Sequence, residues 1–277
     1  MNISDKLITA CKDGFDNDAL ELIDLMSNDE INYIDRNNDS ALILACFRKD
    51  FEKVAIKLVD RVDTFDHEVE TKESDKLINH IDNYKITALM LACYNGLETI
   101  SLKLICRMSD QAINHIDSNN ETALKWACYN GLETVSLKLI SRMSNEAINH
   151  IDNDNDTALK WACYSRLEEV ALKLISRMSD EALNQIDNDN QTVLIWAIDY
   201  NLEEVALKLI SRMSYEAINH IDNHYLIALN YAHYRCLDRV ISELNEIISY
   251  DDIIENHPTS EPTLNVSKDE DNNNLVY

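Results

Sequence analysis

The strongest constraint on this chain is a repeat of fixed length. The pentapeptide INHID begins at Ile78, Ile113, Ile148 and Ile218, and its variant LNQID begins at Leu183, so successive copies lie 35 residues apart. A related INYID begins at Ile31, 47 residues before Ile78. A fixed period of about 20–50 residues marks an array in which one supersecondary unit is stacked repeatedly. The period divides residues 1–250 into about seven units: 1–30, 31–77, 78–112, 113–147, 148–182, 183–217 and 218–250. The second is longer by 12 residues. One falls before Phe51 and eleven fall between Val62 and Ser74, an acidic insertion read as a loop.

The regular units each read as two helices. In residues 148–182, Asp152 to Asp156 is turn-forming and Thr157 has the chemistry of an N-cap. Ala158, Leu159, Ala162 and Cys163 share one face of a short helix. A break at Ser165 and Arg166 follows. Leu167, Val170, Ala171, Leu174 and Ile175 then form the apolar stripe of a second helix. Arg177 in its last turn suits the helix dipole. Ser179, Asp180 and Glu181 predict a further short helical turn. In the first unit Asp18 stands where Ile100, Val135 and Val170 stand elsewhere, as expected of a polar cap. The last unit loses the Thr to Ile227 and reads as the other cap. Residues 251–277 are polar and acidic, hold both prolines, and predict a disordered tail.

Composition sharpens this. The chain has 3 Gly and 2 Pro in 277 residues, so Asn and Asp must make the turns. Its net charge of −25 argues against phosphate-neutralising contact with nucleic acid and against anionic membranes. The charge either keeps the array soluble or favours a basic protein partner. Cys11, Cys46, Cys93, Cys128 and Cys163 occupy one slot. Equivalent slots lie roughly 8–10 Å apart across packed helices, beyond the roughly 4.4–6.8 Å Cα span of a disulfide. They read as small buried hydrophobes of a reducing compartment. With no apolar signal core, the chain is expected to be intracellular and cytoplasmic, not secreted. The sequons at Asn38, Asn120, Asn155 and Asn190 would then be idle.

The unit resembles the ankyrin repeat. Thr87-Ala88-Leu89, Thr122-Ala123-Leu124, Thr157-Ala158-Leu159 and Thr192-Val193-Leu194 match the family's T-P-L. Ala92, Ala127, Ala162 and Ala197 match the Ala that follows, Gly96 and Gly131 match the inter-helix Gly, and Ile113-Asn114 with Asp117 resembles the return. The match spans about residues 5–250. The period is 35 rather than 33. Met90, Lys125, Lys160, Ile195 and Asn230 replace the family His, so its usual tie to the Thr is lost. Arg166, Asn201 and Cys236 replace the Gly. Short turns or 3₁₀ pieces are expected in place of regular β-hairpins. The resemblance implies an all-α solenoid of stacked helix-turn-helix units and a non-catalytic module that binds another protein. The AT-rich residue usage and divergent repeats look like ankyrin proteins of giant DNA viruses, which would act on host proteins. The alternative is a substrate adaptor for a ubiquitin-ligase complex, although the polar tail shows no F-box-like helix.

In ankyrin proteins the first helices line a partner-binding groove. Here Leu91, Trp126, Trp161, Trp196 and Tyr231 share one slot of that helix. Tyr94, Tyr129, Tyr164 and Tyr234 share another, three residues on and hence on the same side. Both columns are candidate partner contacts, as such residues are enriched in binding hot spots. The competing role for Trp126, Trp161 and Trp196 is packing between successive helices, and the tyrosines are better placed for exposure. The turn tips, Asn83–Ile86 through Asn223–Leu226, are a second candidate surface. His80, His115, His150 and His220 form a column, but stacked equivalents lie too far apart to converge on one metal ion. No P-loop, zinc or nucleophile motif is present, so no cofactor, metal, catalytic residue or small-molecule substrate is expected.

Overall fold

The computed structural model describes residues 2–63 and 75–247. The insertion, apart from its first residue at a helix end, and the 251–277 tail lie outside them. The protein is all-α, with no strand among the described residues. Each unit contributes a first helix: Ile3–Asp13, Ala41–Cys46, Ala88–Tyr94, Ala123–Tyr129, Ala158–Tyr164, Val193–Asp199 and Ala228–Arg235. Each is followed by a second: Asp16–Leu25, Glu52–Asp63, Glu98–Arg107, Glu133–Arg142, Glu168–Arg177, Glu203–Ile210 and Asp238–Ile247. Successive first helices pack on one another, as do successive second helices, so the molecule is a solenoid. The predicted extra turn is present as a four-residue helix, for example Asp110–Ile113, Asn145–Ile148 and Asp180–Leu183.

Helix starts follow the sequence reading. The side chains of Ser40, Thr87, Thr122 and Thr157 each accept the N–H three residues on. Thr192 keeps the position, but its buried hydroxyl has no partner. The apolar stripes form one continuous core, with Leu159, Val170, Leu174 and Ile175 inaccessible to solvent. The cysteine column is buried in it, and all seven cysteines are free thiols. On the terminal cap Asp18 is exposed, as expected, where its equivalents Ile100, Val135 and Val170 are buried, and Phe15 and Leu25 are exposed on the same unit.

The turns explain both the shortage of glycine and the sequons. In every unit from the second on, one aspartate (Asp35, Asp82, Asp117, Asp152, Asp187, Asp222) closes the turn. Its Oδ1 accepts the N–H groups two and four residues later, as Asp152 does from Asp154 and Asp156, both at 2.9 Å. Three residues after it the chain turns left-handed, at Asn38, Asn120, Asn155 and Asn190. Asn tolerates that conformation. Its amide also reaches across units: Asn38 donates to the Ile81 carbonyl, Asn120 to Ile151 and Asn190 to Ile221. The N-cap hydroxyl falls two residues on, so at these four positions Asn-x-Ser/Thr arises from turn geometry. The hairpins are reduced to single bridges, such as Ile116 with Thr122.

The consensus residues are largely the rungs that bind unit to unit. Asn114 Oδ1 accepts the N–H of Ser144, and Asn149 that of Ser179. His80 and His150 bond the Asn38 and Asn120 carbonyls at 2.8 and 3.0 Å. Burial holds His115 below the ordinary histidine range. Arg177 lies in the last turn of its helix, as read. Its guanidinium also reaches the Ile140 and Met143 carbonyls at the end of the preceding second helix, which the sequence reading did not foresee. Arg142 and Arg212 do the same one unit either side.

The break between helices keeps its left-handed residue after the glycine is gone. Gly96 and Gly131 have φ of 71° and 69°, and Arg166, Asn201 and Cys236 have φ of 56°, 59° and 56°. A Cβ at Gly96 or Gly131 would meet nothing within 4 Å, so the strain of a side chain there is purely of the backbone. Left-handed backbone costs a non-glycine residue about 1–2 kcal/mol. Arg166 recovers part of that where its guanidinium lies 5.9 Å from the Tyr200 ring centroid. We therefore expect Arg166→Gly to raise stability by about 0.5–1 kcal/mol in urea denaturation, because relief of strain exceeds the added freedom of the unfolded chain. A destabilised variant would show that the arginine contact outweighs the strain. In the second unit the one extra residue replaces this left-handed turn by a 3₁₀ turn, Lys49–Phe51.

Candidate functional site

The first-helix face carries a staircase of rings. Tyr94 meets Trp126 edge-on with centroids 4.6 Å apart, and Tyr129 meets Trp161 at 5.0 Å. Tyr129 and Tyr164 are parallel at 6.2 Å. Each tyrosine thus leans on the tryptophan of the next unit. Trp126, Trp161 and Trp196 are half-buried against the core. Tyr94, Tyr129 and Tyr164 are 47%, 42% and 42% exposed, and Tyr234 is 81% exposed. In the fold the tryptophans thus pack between units, while the tyrosines face solvent. Tyr234 stands apart from the staircase, its ring contact being the Arg235 guanidinium. The sequence register missed Tyr200. It lies one position past the tyrosine slot, which Asp199 holds, yet continues the staircase through Tyr164 at 5.4 Å and Trp196 at 5.9 Å.

Beneath the rings runs a row of buried lysines. Their place is the slot where the resemblance suggested a lost tie. Lys160 Nζ lies 2.6 Å from Asp156 Oδ1 in its own turn and 2.9 Å from Asp187 Oδ2 in the next. Lys125 makes the same pair with Glu121 and Asp152. Each ammonium also sits beside two indoles: Lys160 is 5.5 and 4.7 Å from the Trp161 and Trp196 centroids, and Lys125 is 5.3 and 5.7 Å from Trp126 and Trp161. Burial alone would lower the Lys160 pKa, but the two carboxylates overcome it and raise it. Asp156 is held above the usual carboxylate range, burial outweighing the pull of Lys160. The tie to the threonine is thus replaced by a charged tie to the next unit. In the later units other donors serve. Trp196 Nε1 donates to Asp187 at 2.9 Å and the Tyr231 hydroxyl to Asp222 at 2.5 Å.

The family model described as "Ankyrin repeats (3 copies)" matches residues 68–149, 102–181 and 136–224, together more than half of the chain. The chain belongs to the ankyrin-repeat family. Comparison with curated proteins finds no match. Ankyrin repeats suggest a protein–protein interaction module, and the family is typically non-catalytic. Among the described residues of this ankyrin-repeat protein no helix is long and apolar enough to cross a membrane. Nor do three or more His, Cys, Asp or Glu side chains gather among them as a metal site.

On the first-helix face the ankyrin array opens into a cavity of about 350 Å³. It lies at the junction of the third and fourth units, lined by Phe47, Ile86, Met90, Leu91, Tyr94 and Trp126 with Asp117, Asn119 and Glu121. It includes two of the predicted contact residues, Tyr94 and Trp126. The turn tips alongside are held to one another, Asn153 donating to the Asn119 carbonyl and Asn223 to Asp189.

Proposed function

We propose that this chain is a protein-binding module whose contact surface is the first-helix face, with Tyr94, Tyr129 and Tyr164 as its anchors. The observation that carries the reading is the pairing of exposure with rigidity. Each of these rings presents nearly half its surface to solvent while its other side is braced by a tryptophan of the next unit. Pre-braced aromatic rings lose little conformational freedom on binding, which is why such residues dominate hot spots. The partner is a protein with apolar side chains for the rings and, given the 50 acidic against 25 basic residues, a basic surface around them. A viral chain acting on a host protein is one setting for this role, and the reading does not depend on it. The ligase-adaptor alternative would require a further binding segment, and the stretch where it was sought lies outside the described residues.

The test is affinity purification from the native cell with wild type and a Tyr94→Ala/Tyr129→Ala/Tyr164→Ala variant, after circular dichroism shows equal helix content. A hot-spot truncation costs about 2 kcal/mol or more, so the triple variant should lose the protein that wild type retains. If both forms retain it, the surface lies elsewhere, on the turn tips or the insertion. Sensitivity to salt would report the charged contribution, and insensitivity the aromatic one.

A further inference from the structure

We propose that the cavity between the third and fourth units receives a lysine-type alkylammonium side chain from the partner, which completes there the rung that Lys125 and Lys160 complete within the chain. The inference rests on the first-helix face being the binding surface, and it names the chemistry of one contact.

In a full rung the lysine stem lies along the first helix. Its ammonium meets the turn aspartate of the next unit and sits beside the next unit's tryptophan. For Lys125 these are Asp152 and Trp161, and for Lys160 they are Asp187 and Trp196. One unit earlier the receiving groups are again present, as Asp117 and Trp126, but Met90 stands in the lysine slot. Methionine brings no charge, and the cavity lies at this junction, with Asp117, Met90 and Trp126 in its wall.

Asp117 is the second observation. It is 8% exposed. Its Oδ1 accepts the N–H groups of Asn119 and Glu121 at 2.9 and 2.8 Å. Among the described residues it forms no ion pair, whereas Asp35, Asp152 and Asp187 each hold a lysine. Its second oxygen therefore has the place of a cation-binding oxygen without a cation from the chain. A buried carboxylate gains strongly from a charge-assisted partner. The rest of the wall suits the remainder of such a ligand. Met90, Phe47 and Tyr94 would flank an aliphatic stem, and the Trp126 ring would offer its face to the ammonium. Glu121, already paired with Lys125, keeps the rim acidic.

The probe is n-butylammonium, which reproduces a lysine side chain beyond its Cα. It is titrated against the full chain with ¹³C-labelled methionine methyls and ¹⁵N-labelled indoles. The expected result is saturable shifts at the Met90 methyl and the Trp126 indole in the millimolar range. Asp117→Asn should weaken binding at least about tenfold, since it removes a charge-assisted bond, while its amide oxygen still accepts the two turn N–H groups. Met90→Lys should place an internal ammonium beside Asp117 and block the probe without lowering the melting temperature. Equal binding of neutral 1-butanol would overturn the proposal by showing an apolar cavity only. So would failure to saturate, or indifference to Asp117→Asn. The broader reading fails separately. If a partner retained by wild type depends on the three tyrosines but binds Met90→Lys equally well, the binding face stands and the lysine site falls.

Discussion

Lys160→Met is expected to cost the array about 3–5 kcal/mol, the range for removing one partner from a buried ion pair. The side chains of Lys160, Asp156 and Asp187 are 10%, 4% and 4% exposed, so the two carboxylates would be left facing each other with little water. Methionine keeps the length and apolar stem of the lysine, which isolates the charge from packing. The chain supplies the compensating change itself. At the third unit the slot is Met90 and the residue four before it is Ile86, so Met is accommodated where the second acid is absent. The double variant Lys160→Met/Asp156→Ile copies that rung. It should recover more than half of the loss in urea denaturation, because replacing charges by apolar groups of similar volume is often neutral. The pH dependence has a definite sign. Asp156 already titrates above the usual carboxylate range because of burial, and without its lysine it must titrate higher still. A carboxyl whose folded-state pKa is raised destabilises when ionised, so the penalty of the single variant is full at neutral pH and shrinks as pH falls through that raised value. A penalty that did not change between pH 7 and pH 4.5 would mean that the loss comes from packing and not from charge.

The period, the helix pairs and the threonine caps were all legible because each rests on local chemistry repeated in register. Leu174 is buried for the same reason as Leu139 and Leu104, and one unit read correctly gives the others. The division between tryptophan and tyrosine columns was legible only as a choice, since both slots lie on one side of the first helix. What separates the two slots in the fold is the diagonal approach of each tyrosine to the tryptophan of the next unit, a tertiary offset with no trace in spacing. The lysine rungs were hidden for a related reason. Lys125 pairs with Asp152, 27 residues away, and a lysine on a short helix reads as solvated until its neighbour unit is in place. Arg177 looked complete beside its own helix end, yet its partners belong to the preceding unit. Tyr200 was missed because the register named Asp199, and the ring reaches the staircase from the adjacent position. In each case the missing information is the distance between units, which a repeat period implies but does not measure.

Raising the pH should unfold the array steeply, and the cysteine column is the reason. Burial pushes the thiols of Cys11, Cys93 and Cys128 from an ordinary 9.0 up to about 12, and raises Cys46 and Cys163 as well. In the unfolded chain the same thiols ionise near 9. A group whose folded-state pKa is raised contributes stability that is complete below the unfolded value and is lost as pH climbs toward the folded one. Each thiol then gives up about 1.4 kcal/mol per pH unit across that window. Five together amount to about 7 kcal/mol by pH 10, comparable with the whole stability of many domains. The lysine rungs add to this with the same sign at higher pH, since Lys125 and Lys160 are also raised above their ordinary 10.5. The measurement is urea denaturation at half-unit steps from pH 8 to 10.5, followed by circular dichroism under reducing conditions. Stability should fall with a slope set by five thiols. In a Cys93→Ala/Cys128→Ala/Cys163→Ala variant the absolute stability drops because cavities are left, so the slope is the readout and not the midpoint. The thiol share of the slope should fall to about two-fifths of its wild-type value, since Cys11 and Cys46 are the buried thiols that remain. The raised tyrosines and lysines contribute equally to both proteins and set the residual slope above about pH 9.5. A slope unchanged by the three substitutions would assign the alkaline transition to the lysine rungs or the tyrosines. The same column that closes the core without a disulfide would then carry no part of its pH sensitivity.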